Sequence, residues 1–395
     1  MSHFLLSNCF QRAKINLIFL ESAVVIAMVK YSGLFNFLVA KLLAVKKLSG
    51  LKLFIILMFS SAGLSAVTGE VTSTVVMIAV IFDISKALNI NPVPLVISSV
   101  LTTNIGSAST LLGNPIGVLI ALRADLSFED FLTHALPLAL FILCLTVAAL
   151  AGWFRSYIAR LSAALAGADT KKLVSHTAVF DAKMKISIAL FLALILLIAV
   201  HRRIELMLNL APNDLLIMLP IFFAGIALLL CREKAAYCIE HEIDWQSLLF
   251  FIFLFAQAGV IQSSGVAQFL AQKILERTGA NTSLLVGAVI TSTALLSGFL
   301  DNTVVVASYI PVVKNIHLAH QQLAPLWWAM LFGACLGGNL TVIGSTANIV
   351  AIGLLEKEHK VKISFVYWLK IGAAVTILST AIALLAIAFL PIFGK

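Results

Sequence analysis

Three carboxylates, Glu21, Glu70 and Asp301, stand inside runs of the chain that are otherwise apolar. An ionised carboxylate near the centre of a bilayer costs about 2.5–3.5 kcal/mol on insertion scales, so such a group usually persists because it faces a cavity or binds something. Asp301 lies in LLSGFLDNTVVVASYIPVV, residues Leu295–Val313, with Asn302 and Thr303 beside it. A proton and a small cation compete for one such charge, and that competition is proton antiport in its simplest form. Glu21 is near the start of its run, where snorkelling to the surface explains it equally well.

Neutral oxygen donors accompany the acids. Thr72, Asn104, Thr110, Asn114, Asn302, Thr303, Asn339, Thr341 and Asn348 offer carbonyl or hydroxyl oxygens, and Gly106, Gly113, Gly337, Gly338 and Gly344 let backbone carbonyls turn inward. Hard cations want several oxygen ligands, and a helix unwound at membrane depth supplies them. Asp301, Asn302 and Asn339 are the expected sodium ligands. Small residues also allow close helix packing, but packing explains their clustering beside an acid in two places less well than a site does. An anionic substrate would instead suit a tip of neutral Ser and Asn.

The elements that must hold these groups are membrane helices. Of 395 residues, 61% are hydrophobic and 11% charged, and the mean hydropathy is +1.06, outside the soluble globular range. Ile186–Val200, Leu215–Cys231, Leu248–Ile261 and Trp368–Ile392 are long apolar runs, and only helices satisfy their backbone in lipid. About nine to eleven segments are expected. The net charge of +9 comes from Lys and Arg in short loops, a membrane-orientation pattern rather than a nucleic-acid surface. Five cysteines show no CxxC spacing, so neither a zinc site nor a disulfide framework follows; Cys335 reads as a small packing residue. No cleavable signal peptide is expected, and no nucleotide loop, metal cluster or nucleophile constellation points to an enzyme.

Two stretches recur in order. LSAVTGEVTST (Leu64–Thr74) matches LSGFLDNTVVV (Leu296–Val306), and IGSASTLLGNPIG (Ile105–Gly117) matches LGGNLTVIGSTAN (Leu336–Asn348). Phe54–Ile81 and Leu284–Val312 suit hairpins that enter and leave on one side, with tips at Thr68–Thr72 and Leu300–Thr303. Pro94–Leu122 and Pro325–Leu355 suit helices that break mid-membrane. The expected architecture is an all-α polytopic membrane protein of two inverted repeats, each with a re-entrant hairpin and a discontinuous transmembrane helix. Residues 1–154 form a first repeat, shortened at its N-terminus, 155–185 a polar cytoplasmic linker and 186–395 the second repeat.

At these residues the sequence resembles the ion transporter superfamily, in the group joining arsenical pump membrane proteins, NhaD-type sodium/proton antiporters and citrate-transporter-like permeases. SGFLDNTVVVASYIPVV and PLWWAMLFGACLGGNLTVIGSTANIVAIGLLEKEHKVKISFVYWLK carry the resemblance, and TTNIGSASTLLGNPIG carries it more weakly. Asp301, Asn302 and Thr303 match the hairpin motif, and Gly337, Gly338, Asn339, Thr341, Gly344 and Asn348 match the helix break. The first half departs, with Gly69-Glu70 for Asp-Asn and Asn114-Pro115-Ile116-Gly117 for Asp-Pro-Pro-Asn. The resemblance implies a midplane site between tips and breaks and a homodimer. Sodium/proton antiport is the leading expectation, with arsenite efflux or sodium-coupled di- or tricarboxylate transport as alternatives. No cofactor is expected beyond a transported sodium ion; the expected partners are the lipid bilayer of a bacterial inner membrane and a small ion or molecule, with no nucleic acid.

Overall fold

In the computed structural model, which describes residues 33, 37, 48–166, 182–210, 214–230, 236, 240, 264–279, 281–319 and 324–394, every regular element is helical. Helix α1, Gly50–Thr68, starts where the Ser49 side chain accepts from the Lys52 N–H. It ends at Gly69, whose φ of 87° turns the chain in a region that side chains with a Cβ avoid. Helix α2, Glu70–Leu88, ends at Asn89 in the left-handed conformation, with the N–H groups of Asn89 and Ile90 returned to Lys86 and Ser85. The expected tip is therefore present at Gly69. The arms run further than the apolar pattern indicated, nineteen residues or about 28 Å each, because caps at Ser49 and Asn89 carry the helices past their apolar stretches.

Helix α3, Val93–Ser107, is buried along its whole length and stops at a seven-residue break. Helix α4, Pro115–Ala124, restarts the chain with Asn114 as its cap. After a Ser127–Asp130 capping box, α5 runs from Phe128 to Trp153 with a π-helical turn at Phe131–Ala135. Helices α6 (Arg155–Ala166), α7 (Ala182–Leu208) and α8 (Asp214–Leu230) follow, then α9 (Val266–Thr278). The second unit comprises α10 (Thr282–Ser297), α11 (Asn302–Ala319), α12 (Ala324–Gly337), a second break, and α13 (Thr346–His359). A final span, α14, covers Phe365–Phe389. Among the described residues, Gly50–Thr68, Glu70–Leu88, Phe128–Trp153, Met184–Leu208 and Phe365–Phe389 are long and apolar enough to cross a membrane.

The first twelve residues of the stretch expected as a linker, 155–166, form the amphipathic helix α6, which buries Tyr157, Ile158, Leu161 and Leu165 and packs on α1. The Ser162 hydroxyl accepts from the Gly50 N–H at 2.9 Å. Apolar side chains at one-turn spacing give this segment a face to bury despite its charges. Glu21 and the Leu248–Ile261 run lie outside the described residues.

Two close helix approaches fall in the matched stretches. A Cβ at Gly106 would overlap the backbone of Ala62, and one at Gly337 the backbone of Ala294, so α1 crosses α3 as α10 crosses α12. Small residues permit this approach, the usual means of packing helices in lipid. The buried Ser297 hydroxyl donates to the Ala334 carbonyl at 2.7 Å, whereas the hydroxyl of its counterpart Ser65 is buried with no partner among the described residues. Ser297→Ala is expected to cost about 1 kcal/mol and Ser65→Ala close to nothing; melting of the two variants in detergent measures the difference.

Candidate functional site

Glu70 opens α2 at the first tip and is only 5% exposed. Its Oε2 accepts from Asn302 Nδ2 at 3.4 Å. Asn302 is the residue that matches Glu70 in the second unit, so the two tips meet at corresponding positions. A carboxylate in a first helical turn also benefits from the positive end of the helix.

Asp301 precedes Asn302 and is half-buried. Its Oδ1 accepts from the Thr303 N–H at 2.9 Å, the bond of an N-cap, and its Oδ2 accepts from Thr346 Oγ1 at 2.8 Å. Asp301 thus starts α11 and fastens it to the first turn of α13.

Below the tips, the helix breaks interlock. Asn104 Nδ2 donates to Asn339 Oδ1 at 2.9 Å and to Asn348 Oδ1 at 3.1 Å, while Asn339 Nδ2 reaches the Leu101 carbonyl at 3.2 Å. Asn348 Nδ2 holds the Gly338 and Thr341 carbonyls, each at 2.8 Å. Thr110 donates to the Ala66 carbonyl and Thr341 to that of Gly298, tying each break to its own hairpin. Each threonine oxygen also accepts from the backbone two residues on, Leu112 at 3.2 Å and Ile343 at 3.3 Å.

One pair of bonds between the halves is reciprocal. Asn114 Nδ2 donates to Cys335 Sγ and to Ser107 Oγ, both at 3.0 Å, and Ser345 Oγ donates to Asn104 Oδ1 at 3.2 Å. Ser345 is the counterpart of Asn114, and Cys335 the counterpart of Asn104. In this one pair of bonds the two units exchange equivalent contacts. The packing agrees, since α2 lies on α13 and α11 lies on α4.

Seven of the sequence-derived candidates fall into three groups. Glu70 and Asn302 form one, Asp301 and the Thr303 backbone a second, and Asn104, Asn339 and Asn348 a third. The side chains of the expected sodium ligands Asp301, Asn302 and Asn339 are engaged with different partners, one in each group. Thr72 is half-buried in the first turn of α2, and Thr303 Oγ1 donates to Asn302 Oδ1 at 3.4 Å. Gly113, Gly338 and Gly344 lie in the breaks, where a Cβ at Gly113 would strike the Ser107 carbonyl and one at Gly344 that of Gly338. Ser107, Cys335, Ser345 and Thr346 were missed by reasoning from sequence. Their signal was their position in the repeat, because each is the counterpart of, or adjacent to, a residue already singled out.

The citrate transporter family model CitMHS matches residues 12–272 and 241–393. The chain belongs to this family. Among CitMHS relatives, an uncharacterized transporter of Mycobacterium tuberculosis is 28% identical over 91% of this chain and 82% of its own length. The 46 kDa membrane protein of Mycobacterium leprae is 29% identical over 92% of this chain and 83% of its own. In fold, this CitMHS chain is similar to the Alcanivorax borkumensis YdaH transporter, with a TM-score of 0.63 and 13% identity over 97% of this chain and 86% of that one. It is a multi-pass membrane transporter rather than an enzyme, and its bacterial relatives point to the inner membrane.

Proposed function

We propose that this CitMHS transporter exchanges a small monovalent cation such as sodium for protons, with Glu70 and Asp301 alternating between the two. One observation carries the reading: two carboxylates sit where the hairpin tips meet, and the groups hydrogen-bonded to them are carboxamide, hydroxyl and backbone N–H, none of them Lys or Arg among the described residues. A carboxylate at this depth is neutralised by a proton or by a cation, and each displaces the other. Carboxamide and hydroxyl oxygens complete a shell for a hard cation. In this reading the two units are inverted, so the tips approach from opposite faces of the membrane and a pseudo-two-fold axis lies in its plane. A homodimer, as the resemblance implies, belongs to the same proposal.

A second reading, sodium-coupled transport of a citrate-like carboxylate, is favoured by the description of the family model itself. It needs the acids to hold the coupling ion rather than the substrate.

Asp301→Asn separates chemistry from structure, because Asn caps a helix as well as Asp does while carrying no charge. In inverted vesicles, sodium-driven proton movement is expected to fall at least about tenfold in Asp301→Asn with thermal stability nearly unchanged. A sodium response that survives the substitution in full sinks the assignment. Absence of any response to sodium or lithium, together with citrate uptake that depends on sodium, establishes the second reading instead.

A further inference from the structure

Away from the acids, the α2–α3 turn, the end of α5, the start of α6 and the start of α14 enclose a cavity of about 570 Å³. Asn91, Trp153, Ser156, Tyr157, Arg160 and Tyr367 supply its chemistry. Among the described residues no acidic side chain lines it and Arg160 has no carboxylate partner. The first turn of α6 borders the cavity at Ser156, adding the positive end of that helix to the Arg160 charge, whereas at the start of α3 Pro94 has no N–H and the Val93 N–H is held by Asn91 Oδ1.

The level of this cavity is marked by its aromatics. Trp153 is 52% exposed and Tyr367 40% exposed, at the ends of two spans that are otherwise apolar. Trp and Tyr take such positions at the headgroup layer. Helix α6 leaves the end of α5 there, with its apolar face on α1 and Arg155, Ser156 and Arg160 exposed, the disposition of a helix lying in the interface. The Tyr157 hydroxyl donates to the Asn91 carbonyl at 2.7 Å, which fixes the floor between α6 and the α2–α3 turn. Exposed Phe365 and Val366 beside Tyr367 continue the apolar surface toward the acyl region.

We infer that this cavity binds the headgroup phosphate of an anionic phospholipid, with Arg160 as its charged contact and Ser156 and Tyr367 as hydroxyl donors. Its volume suits a phosphoglycerol group, and the adjoining belt and apolar surface favour a lipid-borne phosphate over a free one. The site lies on the turn between the hairpin bearing Glu70 and the broken helix bearing Asn104, so a bound lipid would brace that turn against α6.

The test is native mass spectrometry of the full chain in mild detergent with phosphatidylglycerol or phosphatidylcholine added. The wild type is expected to retain phosphatidylglycerol about five- to tenfold over phosphatidylcholine. Arg160→Gln, which removes the charge, and Ala164→Trp, which fills the cavity, should each abolish the preference, while Lys357→Gln, exposed elsewhere, keeps it. Inorganic phosphate alone, at the concentration of lipid used, should leave the bound lipid in place. A preference that persists in both cavity variants overturns the site, and displacement by inorganic phosphate overturns its assignment to lipid. Neither result depends on which ion the protein transports.

Discussion

Glu70→Gln is expected to abolish sodium-driven proton movement, a fall of at least about tenfold to the level of empty vesicles, while the protein stays folded. The amide is isosteric with the acid, and its carbonyl still accepts from Asn302 Nδ2, so the meeting of the two tips at 3.4 Å survives. What is lost is the only carboxylate among the described tip residues that is almost wholly withdrawn from solvent. Asp301, although the more conspicuous acid in sequence, is half-buried and has structural duties as the cap of α11 and the anchor to Thr346. Glu70→Gln is therefore expected to be more severe than Asp301→Asn. Flux assays of both variants, reconstituted at equal protein content, check that order.

Gly337→Ala has the largest expected effect on folding. Its Cβ would overlap the carbonyl, Cα and carbonyl carbon of Ala294, and backbone atoms cannot yield as the end of a side chain can. Helices α10 and α12 must separate, at a cost of about 1–3 kcal/mol or more, and the break that carries Asn339 and Thr341 moves with α12. Gly106→Ala should do the same to α1 and α3, where Ala62 is the obstacle. Gly63→Ala is the control, because a Cβ there meets nothing within 4 Å and alanine favours a helix interior by about 0.8–1.0 kcal/mol. Melting temperatures in detergent should fall for the first two variants and hold or rise for the third.

Much of this arrangement was legible in the sequence. Gly69 ends a run of helix-forming apolar residues, and clusters of Gly, Asn, Ser and Thr within long apolar stretches mark the breaks after Ser107 and Gly337, because a chain unwound in lipid needs polar side chains to satisfy its backbone. Repeat matching placed Glu70 opposite Asn302, and the structure joins those two side chains. Other features depend on contacts between residues far apart in the chain, which local pattern does not report. Cys335 looked like packing because its partner, Asn114, lies in the other half; Ser345 and Thr346 looked like an ordinary helix start, yet they reach Asn104 and Asp301. The charges of Arg155 and Arg160 masked α6, whose helical nature shows in the one-turn spacing of Tyr157, Leu161 and Leu165.

If cation and proton compete for the carboxylates at the tips, sodium added to purified protein in weakly buffered detergent solution displaces protons as it binds. Proton release recorded alongside ion binding should reach about one proton per sodium bound and be lost in the Glu70→Gln, Asp301→Asn double variant. Sodium binding without proton release, or release that the double variant preserves, would contradict such competition.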